Sequence, residues 1–128
     1  RLDFATRDRY RADADDDDDD DVVSRFANAS LASKPVLIIS YEGYRARADK
    51  VNGVGDVGLL ICDEAHRLKG GDQTEAFAAV DASPAKRRIL VTATPVQNGL
   101  AELGVLLGLA DPSHAKLLKD DDGGGVQG

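Results

Sequence analysis

The stretch Leu59-Leu60-Ile61-Cys62-Asp63-Glu64-Ala65-His66-Arg67-Leu68-Lys69 decides how this chain is read. Four apolar residues run directly into two carboxylates, and a histidine follows three positions after the first of them. A short apolar run bounded by Gly58 on one side and by charge on the other suits a β-strand buried on both faces, with Asp63 at its carboxyl end. In open parallel sheets ligands bind at that end. Two adjacent acids there can divide the work of phosphate chemistry, one holding Mg²⁺ and the other polarising a water for attack. A charged strand terminus that simply enters solvent would carry the same residues, so the run by itself leaves both readings open.

Working outward, two further apolar runs match the first. Val36 to Ile39 (VLII) follows Pro35, which suits a strand's first position, and Ile89 to Val91 (ILV) runs into Thr92-Ala93-Thr94 before Pro95 stops the ladder. Helical patterns separate and follow them. Tyr41, Tyr44, Ala48 and Val51 recur at spacings of three and four, which predicts an amphipathic helix with Arg45, Arg47 and Lys50 outside. Thr74 to Ala82 predicts a second helix with Phe77 and Val80 inward, and Leu100 to Ala110 a third, largely apolar. The connections 40–58 (19 residues) and 63–88 (26 residues) are long enough for crossovers. The fold class expected is therefore α/β, a parallel sheet of three recognisable strands flanked by helices. Parallel sheets are covered on both faces, so such a small sheet implies missing strands.

The 128 residues make room for one domain, and no apolar stretch approaches a membrane span. The chain starts at Arg1 and has no Met, as expected of a piece of a longer product. Without a signal-like start, and with Cys62 alone, a reducing intracellular compartment is expected. The net charge of −7 is misleading, because Asp13 and Asp15 to Asp21 carry eight negative charges and removing them leaves +1. Total charge therefore argues neither for nor against nucleic acid. The reading divides the chain into an acidic, largely disordered segment at 1–33, in which VVSRFANASLAS is a candidate short helix, a folded lobe at 34–111, and a disordered tail at 112–128.

His66 tips the balance at the acidic mouth, since an imidazole there can hydrogen-bond the end of a neighbouring strand, and Thr92 and Thr94 supply hydroxyls at such an end. Other candidates are weaker. Gly53, Gly55 and Gly58 spell G-x-G-x-x-G but precede a strand, where a dinucleotide fingerprint must follow one. Strand alternation turns Cys62 away from Asp63, which makes it a buried thiol and not a metal ligand. His114 lies in a polar tail. Lys86 to Arg88 precede their strand, at the end opposite the acids, and read as a solvated start.

Taken together and in order, PVLIISYE, LLICDEAHRLK and ILVTATPVQN resemble the SWI/SNF-type DNA-dependent ATPases of helicase superfamily 2, and most closely their recombination-repair translocases. The resemblance spans about Lys34 to Asp111. It implies a partial RecA-like lobe that uses ATP and Mg²⁺. Asp63 is then the metal-associated acid, Glu64 the residue that activates water, and His66 the link to the next motif. Thr92, Ala93, Thr94 and Gln97 match the motif that couples hydrolysis to DNA, while Ser40, Tyr41 and Arg45 lie on the DNA side. The implied partners are duplex DNA and a strand-exchange recombinase or chromatin, with nuclear location and no membrane. The chain departs from the pattern at Ala93, where Gly is usual, and at Gly70, where Asn is usual. It also contains no G-x-x-x-x-G-K-[ST] to cradle phosphates. The alternative is a truncated, non-catalytic product serving at most as an acidic interaction module.

Overall fold

In the computed structural model, the residues described are 9–12, 19–68, 74–96, 99–111 and 113. They form a mixed α/β structure with two short parallel sheets, as expected of part of a RecA-like lobe. The chain divides into two compact units, Arg1–Gly55 with Ala78–Ser83, and Asp56–Phe77 with Pro84–Gly128. Gln97, Asn98, His114 and most of the Asp run and tail lie outside the described residues. No helix among the described residues is long and apolar enough to cross a membrane.

In the first unit, β1 (Arg9–Ala12) pairs in parallel with β2 (Val36–Ile39), Arg9 opposite Val36 and Ala12 opposite Ile39. Helix α1 (Asp19–Ala27) packs on both strands. The described residues of the segment 1–33 thus include a strand, a helix and a 3₁₀ turn at Leu31–Ser33. The helix is anchored by Val23, at 1% exposure. Tyr10 of β1 meets Phe26 of α1 edge-on at 6.1 Å, and the Arg25 guanidinium lies 5.7 Å from the Tyr10 ring centre. Alternating charge in the sequence hides this strand because Tyr10 is the only bulky side chain of RYRA that is not charged.

The single helix expected after β2 is two, α2 (Tyr41–Ala46) and α3 (Ala48–Asn52), broken at Arg47 with φ −123° and ψ 23°. The break leaves Tyr44 and Val51 both buried and lets the Tyr44 hydroxyl donate to Asn52 Oδ1 at 2.5 Å. Asn52 Nδ2 in turn donates to Ala79 O at 2.9 Å, in helix α4 (Thr74–Asp81).

The second unit is built on β3 (Leu60–Cys62) and β4 (Arg88–Leu90), parallel and in register from Leu60 opposite Arg88 to Cys62 opposite Leu90. Helix α5 (Leu100–Ala110), at the bounds expected, packs on β4 with Leu106 and Leu109 buried. Among the described residues β2 pairs with β1 and β3 with β4, two short parallel sheets within the α/β class expected. One expectation needs correction: β3 is not buried on both faces, because Cys62 is 3% exposed while Ile61 is 59% exposed. Leu59, Ile89 and Val91 are likewise exposed, so the pair has one covered face and one open apolar face among the described residues.

Candidate functional site

The two acids are presented by a specific backbone path. Val91 N–H donates to Cys62 O at 2.8 Å, and the next bond of the ladder is made by Ala65 N–H to Val91 O at 2.9 Å. Asp63 and Glu64 fall between those two anchors and are looped out as a turn at the carboxyl end of β3, both exposed. The chain then enters a 3₁₀ turn, Ala65–Leu68, that drives Ala65 (0% exposed) and Leu68 (1%) into the core. Buried Cys62, Ala65 and Leu68 therefore hold the turn from below while Asp63 and Glu64 face solvent. The inward Cys62 and outward Asp63 agree with the alternation read from sequence.

Glu64 adopts φ +48°, a left-handed conformation uncommon for a side chain other than Gly. It costs about 1–2 kcal/mol. The Asp63 carboxylate helps to hold it, since Oδ1 accepts the Glu64 N–H at 2.9 Å. Arg67 N–H donates to Glu64 O at 2.9 Å and starts the 3₁₀ turn.

The imidazole of His66 is half-buried and lies where the sequence places it. Its Nδ1 is 3.1 Å from Thr92 Oγ1, just beyond β4, and 3.3 Å from Glu64 Oε2. Thr92 Oγ1 also accepts the Thr94 N–H at 3.2 Å. Glu64, His66, Thr92 and Thr94 thus form one connected group, with exposed Asp63 and Ala93 beside them in the chain. Sequence reasoning anticipates the His66–Thr92 link. It misses the Glu64–His66 contact, for which the only signal is the two-residue spacing, since such a spacing brings side chains together only in a tight turn.

The residues expected on the DNA side lie in the first unit. Ser40 is the N-cap of α2, and its Oγ accepts the Gly43 N–H at 3.0 Å. A Cβ at Gly43 would lie 3.1 Å from Ser40 Oγ and 3.2 Å from Ile39 Cγ1, so a larger residue there needs these side chains to yield by a few tenths of an ångström. Tyr41 is half-buried and Arg45 exposed. At the amino end of β4 the basic run is less idle than the sequence suggests. Lys86 Nζ pairs with Asp56 at 2.6 Å, and Arg88 donates to Leu109 O at 3.0 Å, tying the last turn of α5 to the strand.

The SNF2-related domain matches residues 7–120, nearly the whole chain. The chain belongs to the SNF2-related family. Among relatives of this SNF2-related chain, the rice "DNA repair and recombination protein RAD54" is 48% identical over 82 residues, 64% of the chain and 8% of the relative. Budding-yeast "DNA repair and recombination protein RAD54" is 46% identical over 79 residues, 62% of the chain and 9% of the relative. The human "DNA repair and recombination protein RAD54-like" is 46% identical over 70 residues, 55% of the chain and 9% of the relative. The aligned part of this SNF2-related chain thus spans less than a tenth of the length of these relatives.

Proposed function

We propose that the chain is part of the first motor lobe of an ATP-dependent duplex-DNA translocase that acts in DNA recombination and repair. One observation carries this reading: the Asp63–Glu64 turn is looped out at the end of a parallel strand pair with His66 bonded across to Thr92. Membership of the SNF2-related family and the likeness to RAD54 proteins support it.

Asp63 is the acid that would hold Mg²⁺. Its carboxylate is exposed at the strand mouth, and no cluster of three or more ligating side chains occurs among the described residues. That donor set fits a cation held by one carboxylate together with the phosphates of its nucleotide. When bound, Mg²⁺ would neutralise charge on the phosphoryl oxygens. Glu64 orients the attacking water and receives its proton. His66 and Thr92 carry the state of the acidic turn to the strand end, and Thr94, Ala93 and Gln97 border the nucleotide. Arg45 contacts the phosphate backbone of duplex DNA, with Tyr41 beside it and Ser40 orienting α2 as its cap.

The backbone cradle and lysine for the β and γ phosphates are absent from these 128 residues. They and a second lobe belong, on this reading, to the rest of a protein as long as the relatives, and the chain alone does not turn over ATP. A recombinase or chromatin is the protein partner, and the location is nuclear. The test is ATP hydrolysis by the full-length protein with and without duplex DNA. Hydrolysis that rises with duplex DNA and is lost in Asp63→Ala is expected. Equal turnover without DNA, or full activity in that variant, contradicts the reading.

A further inference from the structure

We infer that Glu64, His66 and Thr92 form a proton-sharing group that parks the Glu64 carboxylate on the imidazole, with His66 held in its Nδ1–H form. The inference rests on the reading of Glu64 as the water-orienting base for its meaning, but not for its geometry. One ring nitrogen, Nδ1, faces two oxygens, Thr92 Oγ1 at 3.1 Å and Glu64 Oε2 at 3.3 Å. An ionised carboxylate can only accept. A bare Nδ1 would set two lone pairs against each other at 3.3 Å, so a proton sits on Nδ1, and in the neutral ring Nε2 carries the lone pair. Thr92 Oγ1 is suited to the same assignment, because it accepts the Thr94 N–H on one side and can accept Nδ1–H on the other.

The consequence is a choice between two partners for Nδ1. While Glu64 shares the Nδ1–H, one lone pair of the carboxylate is engaged. When the proton moves to Nε2 and the Thr92 hydroxyl donates to Nδ1 instead, the carboxylate is released toward solvent and toward a water. Among the described residues the left-handed backbone of Glu64 is held by short-range bonds within the turn, Glu64 N–H to Asp63 Oδ1 and Arg67 N–H to Glu64 O. His66 is thus a positioning residue for Glu64, and the position of Thr92 sets how far Glu64 is available.

The tautomer of His66 tests this directly in the 128-residue chain labelled with ¹⁵N-histidine. The chain has two histidines, so a His66→Gln variant assigns the signals against His114. At about pH 8, above the ordinary imidazole range near 6.5, wild type should show a pyrrole-type shift at Nδ1 and a pyridine-type shift at Nε2. Free imidazole side chains favour the reverse. Glu64→Ala should move the population toward Nε2–H. Glu64→Gln, whose amide oxygen still accepts, and Thr92→Val should both keep Nδ1–H. An Nε2–H majority in wild type overturns the inference, as does an Nδ1–H majority that survives Glu64→Ala. Because the readout needs no nucleotide, failure here leaves the ATPase reading standing, and failure of DNA-stimulated hydrolysis leaves the tautomer standing.

Discussion

Leu68 sits under the acidic turn at 1% exposure, whereas Leu100, at the start of α5, is 79% exposed. Truncating each to Ala removes the same atoms from very different surroundings. For Leu68 the lost transfer free energy and the cavity left behind together cost about 3 kcal/mol, within the range of roughly 2–5 for buried Leu→Ala changes. For Leu100, which keeps about a fifth of its surface covered, the change stays within about 0.5 kcal/mol, as is usual for surface sites. With a urea m-value of about 2 kcal/mol/M, Leu68→Ala should lower the unfolding midpoint by about 1.5 M, with m unchanged. Leu100→Ala should leave the midpoint nearly where it was. Equilibrium urea unfolding followed by circular dichroism measures both. If the two variants shift alike, the 3₁₀ turn is not anchored as described, and the argument that buried Cys62, Ala65 and Leu68 present Asp63 and Glu64 fails.

Other outcomes follow from single contacts. Ser40→Ala removes the cap of α2 and should cost about 1 kcal/mol in the same unfolding assay, while Ser40→Asp should retain most of it. Tyr44→Phe and Asn52→Ala, combined in a double-mutant cycle, should give a coupling of about 0.5–1.5 kcal/mol, because the Tyr44 hydroxyl donates to Asn52; additive effects would refute that bond. Lys86→Ala should change stability by less than about 1 kcal/mol, and less still at high salt, since both partners of the Lys86–Asp56 pair are mostly exposed.

The elements that sequence reveals well are those whose own residues settle the matter. The run into Asp63 is apolar until it must meet solvent, so strand, mouth and acids are all visible in it, and the hydroxyls of Thr92 and Thr94 mark the partner strand's end. Leu100 to Ala110 is long enough and apolar enough for its helix to be unmistakable. What escapes is whatever depends on a distant partner. Arg9–Ala12 becomes a strand only because β2 and Phe26 receive it, and nothing local separates it from a solvated charged segment. The division into two sheets escapes for the same reason, since apolar runs announce strands but not neighbours. Within the site, the left-handed backbone of Glu64 is hidden because the residue is neither Gly nor Asn, and that conformation is what brings its carboxylate to His66.

The central claim is that Glu64 activates water in an ATP-hydrolysing motor, and one measurement bears on it most directly. In the full-length protein, Glu64→Gln keeps the shape of the turn and removes the base. DNA-stimulated ATP hydrolysis should fall by on the order of 10²–10⁴-fold, the usual worth of a positioned acid–base group, while ATP binding is retained. Hydrolysis at the wild-type rate in Glu64→Gln would contradict the account.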